Sequence, residues 1–169
     1  MTPPASMRLN ELPDAEARAA LHLCCGSNRW VEAMLKGRPF ASLAALQDFA
    51  NRTWFGLARA DWLEAFSHHP RIGERNLDRY GAGATQSGRE QSGMNAASEP
   101  VHAEFARLNR DYEAKFGHVF LICASGKSAQ FMLEQITSRI ANTPEVELKN
   151  AAAEQSKIVR LRLERLVNT

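Results

Sequence analysis

Apolar residues along this chain recur three and four positions apart, and strict alternation is nearly absent, so the pattern predicts helices almost throughout. Residues 14–25 follow a proline and carry Ala, Leu and Cys at helical spacing. Ser27 caps a second helix that runs through Lys36 and is stopped at "KGRP". Ser42 caps a third, "LAALQDFANRTWFGL", with Leu43, Leu46, Phe49 (or Ala50) and Trp54 on one stripe. A fourth helix starts at Ala60 or Asp61, ends near Ser67, and turns Trp62, Leu63 and Phe66 to a core. Residues 70–86 hold Gly73, Gly81 and Gly83 among polar side chains and read as a long loop, of the kind that is functional or disordered. Ser87 is then expected to cap a short helix, and Ser98 a longer one ending near Lys115. "GHVFLICASG" is a buried apolar run, short for a helix. Residues 127–141 are helical again, and Thr143 with Pro144 at the first helical position opens a last helix to about Val167. The expected architecture is all-α: a single compact domain of about eight helices spanning the chain, with residues 1–8 a flexible N-terminus.

Composition narrows the function classes more than it changes this picture. A length of 169 residues suits one domain with a real core, and 44% hydrophobic with 24% charged residues is ordinary for a globular protein. The net charge of +2 comes without a basic stripe, because the C-terminal arginines are interleaved with Glu and Leu, so no nucleic-acid partner is expected. No apolar run approaches the roughly 18 residues of a membrane span. The N-terminal "MTPPASMRLNELPDAEARAA" lacks the apolar centre of a signal peptide, and no "SKL"-type tail is present, so a cytoplasmic location is expected. Cys24 and Cys25 are adjacent, Cys123 stands apart, and no C-x-x-C occurs. Neither a zinc knuckle nor a redox pair follows, and all three are expected to be small buried apolar residues.

Three stretches could carry chemistry. In "FSHHPRIGE", His68 and His69 are adjacent and point in different directions on a helix, so they do not chelate one metal as i,i+4 histidines do. Pro70 pushes His69 out of helical geometry, which makes His69 the expected helix end. A histidine there also suits the helix dipole, so a structural and a functional reading stand level on this segment alone. In "QSGREQSGM", Ser87-x-x-Glu90 matches a capping box, which accounts for both residues without any function and is the stronger reading at this point. It leaves Gln91 unexplained, together with Gly88 and Gly93, which weaken so short a helix. Glycine beside exposed helix amides is also what an anionic ligand would need. In "SKIVRLRLERLV", Ile158, Val159, Leu161, Leu163, Leu166 and Val167 form one apolar face. Arg162 lies roughly 60° from its centre, Arg160 about 100° and Arg165 about 120°. Arg162 therefore points closest to the interior and needs a carboxylate, from the protein or from a substrate, whereas Arg160 and Arg165 are expected to face water.

Taken in order, "HPRIG", the Ser-Gly-Arg-Glu-Gln segment about 18 residues on, "FGHVFLICASGKS" and "IVRLRLERL" resemble the OHCU decarboxylases, enzymes of urate breakdown. The match runs from about Leu9 to Leu166. The resemblance implies an all-α homodimer that needs no metal and no organic cofactor. The implied substrate is 2-oxo-4-hydroxy-4-carboxy-5-ureidoimidazoline (OHCU), converted to (S)-allantoin and carbon dioxide. It implies His69 as the catalytic histidine, with Pro70 lining the site; Glu90, in the segment that contacts substrate, is expected to serve catalysis by orienting His69 or handling the hydroxyl proton. Ser87, Gly88, Arg89 and Gln91 fall in the segment that contacts substrate. Ile122, Cys123, Ala124, Ser125 and Gly126 match the stretch whose backbone meets the ligand, and the substrate-binding arginine of the last helix is assigned to Arg162. His68 precedes the motif, and residues 75–83 carry nothing that matches.

Two other classes are kept in view: a metal-dependent hydrolase using His68, His69 and nearby carboxylates, and a helical binding or dimerisation module in which Ser87 and Glu90 merely cap. Stoichiometric zinc or manganese in the purified protein would favour the first. Wide separation of His69 from Glu90 would favour the second.

Overall fold

The computed structural model describes residues 7–169, and these form an all-α protein. Its helices are α1 (Arg8–Glu11), α2 (Asp14–Cys24), α3 (Asn28–Gly37), α4 (Leu43–Phe55), α5 (Arg59–Phe66), α6 (Gly83–Glu90), α7 (Glu99–Phe116), α8 (Ala129–Arg139) and α9 (Pro144–Asn168), with two 3-10 turns at Asp78–Tyr80 and Ser92–Ala96. Serine caps set three of the starts. Ser27 Oγ accepts from the Trp30 amide at 3.3 Å, Ser42 Oγ from Ala45 at 3.1 Å and Ser128 Oγ from Phe131 at 3.1 Å, each satisfying an amide that has no partner inside its helix.

Residue contacts gather into two compact units, one running through Ala65 and completed by Ser156–Thr169, the other Phe66–Gln155. In the first, Leu21, Trp30, Met34, Leu46 and Trp54 of α2, α3 and α4 are buried together with Ile158, Val159 and Leu163 at the end of α9. Trp30 Nε1 donates to Ala50 O at 3.2 Å, so this buried indole also has its polar atom satisfied. In the second, Phe105, Leu108, Tyr112 and Phe116 of α7 pack with Met132 and Ile136 of α8 around a segment with no regular secondary structure. That segment is the apolar run of residues 117–126. Phe120, Ile122 and Ala124 enter the core at every second position, the period of extended chain rather than helix.

Three expectations are corrected. The loop of residues 70–86 is shorter than its composition indicates, because the Asp78–Tyr80 turn and the first half of α6 lie inside it. Glycine weakens a helix by about 1 kcal/mol against alanine but does not forbid one, which is how Gly83 and Gly88 hid this helix. Ser87 does not cap α6: the cap position is Ala82, and Ser87 sits in the second half of the helix. The flexible N-terminus expected over residues 1–8 lies outside the described residues as far as residue 6, and Arg8 opens α1.

Candidate active site

His69 follows α5 in a tight turn, its amide donating to Phe66 O at 3.1 Å, with Pro70 buried behind it. The helix itself stops at Phe66, three residues before the position that the proline marks. The two histidines separate as adjacent residues must, His68 exposed and His69 half-buried. His69 Nε2 lies 2.6 Å from Oε1 of Gln155, a fully buried side chain of α9. Both histidines open on a cleft of about 330 Å³ shared with Ser67, Arg79, Tyr80 and Val119. Arg79 and Tyr80 come from the Asp78–Tyr80 3-10 turn, in a stretch that carries no family motif. Arg79 Nη2 donates to the Tyr80 hydroxyl at 2.5 Å and pairs with Glu74 at 3.2 Å, while that hydroxyl donates to Glu74 at 3.0 Å. Partial burial, with the bond to Glu74, holds the Tyr80 hydroxyl above the ordinary phenol range and therefore protonated at neutral pH.

The chain after His69 is pinned along its length. Glu74 Oε2 accepts from the Arg71 amide at 3.1 Å, Asn109 Nδ2 donates to Ile72 O at 3.0 Å, and Gln91 Oε1 accepts from the Gly73 amide at 2.7 Å. Gly73 has φ of 81°, a conformation that L side chains rarely adopt. Gln91, unexplained by any capping scheme, thus fixes the turn that follows the histidine.

Ser87 and Glu90 lie three residues apart near the end of α6 and share one helix face, Ser87 buried and Glu90 half-buried. The capping account of this pair is removed, since a capping box needs its serine at the helix start. Arg89, on another face, is exposed. Gly88 and Gln91 line a different cleft, of about 220 Å³, together with Gly73 and His102.

In residues 122–126, Ile122 and Ala124 are buried, Cys123 and Ser125 are half-buried and Gly126 is exposed. This segment is held from two sides. A Cβ at Gly93 would lie 2.1 Å from Lys127 O, so only glycine lets the Ser92–Ala96 turn approach the chain just beyond it. On the other side, Arg139 Nη1 donates to Leu121 O at 2.6 Å and its guanidinium lies over the Phe120 ring at 4.6 Å. Arg139 pairs in turn with the fully buried Glu147 at 2.9 Å, which also accepts from Tyr112, Asn142 and Asn150. Burial pushes the Glu147 carboxyl up, but these donors outweigh it and hold it below the usual carboxylate range.

Arg162 belongs to the first unit. It is buried while Arg160 and Arg165 are exposed, as the helical wheel predicts. Its Nη1 donates to Leu23 O at 3.1 Å and Cys24 O at 3.5 Å, carbonyls at the C-terminal end of α2. A helix C-terminus offers a guanidinium partial negative charge and orphan carbonyls, a class of partner that the helical wheel does not reveal.

Cys24 and Cys25 are buried as expected, and burial pushes the Cys25 thiol up to about 12, too high for a thiolate nucleophile. Cys123 is only half-buried. A larger cleft of about 410 Å³ in the first unit, between α4 and the end of α9, contains none of the expected site residues. Size therefore ranks below chemistry here.

Comparison with known proteins gives one answer. The sequence model of the OHCU decarboxylase family matches residues 10–164. The uric acid degradation bifunctional protein TTL of Arabidopsis thaliana is 40% identical over 147 residues, covering 85% of this chain, which spans 45% of that protein's length. The 2-oxo-4-hydroxy-4-carboxy-5-ureidoimidazoline decarboxylase of Amia calva is 30% identical, over 80% of this chain and 78% of its own. The crystal structure of an OHCU decarboxylase in the presence of (S)-allantoin superposes with a TM-score of 0.78 at 33% identity, covering 94% of this chain and 100% of that one.

Proposed function

The chain belongs to the OHCU decarboxylase family, and from that premise we propose that it converts OHCU to (S)-allantoin and carbon dioxide without a cofactor. The observation that carries the reading is His69: an imidazole at the mouth of a cleft, fixed through Nε2 by a buried amide and backed by a buried proline. Such a group suits proton transfer near neutral pH.

Decarboxylation must find a place for the electron pair of the broken C–C bond. The substrate provides it, because carbon 4, which loses the carboxylate, adjoins the C=N at carbon 5. The pair forms a C4=C5 double bond and the ring nitrogen takes the charge, giving an enediamine-like or enolate-like species. The 4-hydroxyl then loses its proton as the C4 carbonyl forms, the charged ring nitrogen takes up a proton, and carbon 5 gains another. Handedness is decided at that last step. His69 is the proton donor to one face of carbon 5, and Glu90 is the group that handles the hydroxyl proton or orients His69. Pro70, Ser87, Gly88, Arg89, Gln91 and the backbone of residues 122–126 complete the substrate contacts by family resemblance. Arg162, on the same ground and on its burial, grips the anionic or amide edge of the substrate through its planar fork.

The enzyme acts as a homodimer in the cytoplasm on this reading, in keeping with the family resemblance. No helix among the described residues is long and apolar enough to cross a membrane. The test is to generate the unstable substrate in situ from urate and follow optical activity. Faster appearance of (S)-allantoin than in the uncatalysed control is expected. An unchanged rate and racemic product would refute the assignment.

A further inference from the structure

We propose that Gln155 is the positioning residue that sets the tautomer of His69, and so decides which ring nitrogen exchanges the proton. The inference rests on the decarboxylase reading with His69 as proton donor. Three observations carry it. Gln155 is a polar side chain fully buried on α9. Its Oε1 lies 2.6 Å from His69 Nε2, within hydrogen-bond distance. Its own Nε2 is buried with no hydrogen-bond partner, so the amide is retained against a desolvation penalty.

An amide oxygen accepts and never donates, so His69 Nε2 must carry hydrogen in both the neutral and the charged ring. The basic nitrogen of the neutral ring is then Nδ1, and the proton passed to carbon 5 of the enediamine-like species is the one on Nδ1. When it leaves, the ring returns to the neutral Nε2–H tautomer with its bond to Gln155 intact, and no ring rotation is needed between turnovers. The reversed amide orientation makes the opposite statement: Gln155 would donate, His69 would keep its hydrogen on Nδ1, and Nε2 would be tied up as an acceptor. The two orientations differ in a measurable proton position.

The experiment measures the tautomer of His69 by NMR of protein labelled with ¹⁵N in its five histidines, the His69 signals being assigned by their loss in His69→Asn. The parent is expected to show the Nε2–H tautomer, and Gln155→Leu a mixture or Nδ1–H. In the in situ assay, Gln155→Leu is expected to lower kcat about 10- to 100-fold with KM within about twofold, since a positioning group acts on the chemical step. Gln155→Glu keeps an acceptor facing Nε2–H, so it is expected to keep the parent tautomer and recover most of the lost kcat. Nδ1–H in the parent overturns the proposal, and so does a Gln155→Leu variant with the parent's tautomer and kcat. Should Gln155→Leu not fold, the parent tautomer and the glutamate variant decide alone. A parent inactive on OHCU would refute the decarboxylase reading, while the tautomer measurements would still decide what Gln155 does to His69.

Discussion

Two buried polar centres in the second unit invite comparison. At the first, Arg139 and Glu147 face each other with every guanidinium nitrogen bonded, Nε and Nη2 to Glu147 and Nη1 to Leu121 O. Tyr112, Asn142 and Asn150 fill the remaining lone pairs of the carboxylate. At the second, His69 meets Gln155 through one short bond, the far nitrogen of the amide has no partner, and the ring opens on a cleft. Both centres draw on fully buried side chains of α9, but satisfaction differs. A network with every group paired holds its surroundings rigid, here the chain leading into residues 122–126. A centre that leaves a buried donor unpaired and an imidazole at a cleft keeps chemistry available. The difference separates scaffold from reagent without any appeal to which residue types are involved.

The largest effect that would sharpen this contrast is on stability. Glu147→Gln or Arg139→Met leaves the opposite group buried without its charge partner and is expected to cost about 3–5 kcal/mol. His69→Asn, at a half-buried ring bonded to Gln155, is expected to cost about 1 kcal/mol. Denaturant midpoints at constant m-value compare them, and equal costs would break the distinction. The same carboxyl fixes an acid limb. Because its folded pKa is depressed, its contribution is complete above the ordinary glutamate value of about 4.3 and is lost as pH falls through the lower folded value. Glu147→Gln should flatten that part of the stability–pH curve, and an unchanged acid limb would contradict the cause given.

Next in size is Gly93→Ala, expected to cost about 1–3 kcal/mol because the new Cβ would meet the Lys127 carbonyl, which is backbone and must shift. Gly88→Ala meets only Leu77 at an ordinary 3.7 Å and is expected to be neutral or stabilising by up to about 1 kcal/mol as a helix position. Thermal unfolding of the pair separates close backbone approach from mere helix weakness as the reason for glycine.

The pattern of apolar positions and the caps at Ser27 and Ser42 were legible to within a residue or two, since helix starts are written in local chemistry. The same locality misled at Ser87 and Glu90. Four residues that would make a capping box at a helix start also fit near a helix end, and nothing within the four tells the two apart. The inward turn of Arg162 could be read from the wheel, but not its partners Leu23 and Cys24, which are more than 130 residues away in sequence and leave no periodic trace. Gln155 was within reach of the same reasoning: it lies seven residues, two helical turns, before Arg162, and both are buried. Arg79, Tyr80 and the Arg139–Glu147 pair were not legible, because their significance lies in what tertiary contact sets beside them.

A smaller expected effect than the loss of the buried ion pair concerns binding. Arg162→Lys keeps the charge and loses the planar fork, so KM for OHCU is expected to rise about tenfold, roughly 1.4 kcal/mol. Arg160→Lys and Arg165→Lys, both exposed, should match the parent. Damage in the Arg160 variant instead would place the functional face of α9 half a turn away.

The central claim, that His69 is the reagent, is tested most directly by the handedness of the product. With OHCU generated in situ, the parent is expected to release (S)-allantoin. Folded His69→Asn is expected to fall by at least about 100-fold in rate and to release allantoin that approaches a racemate, as spontaneous decay takes over. A folded His69→Asn protein that forms (S)-allantoin at the parent's rate would contradict the account.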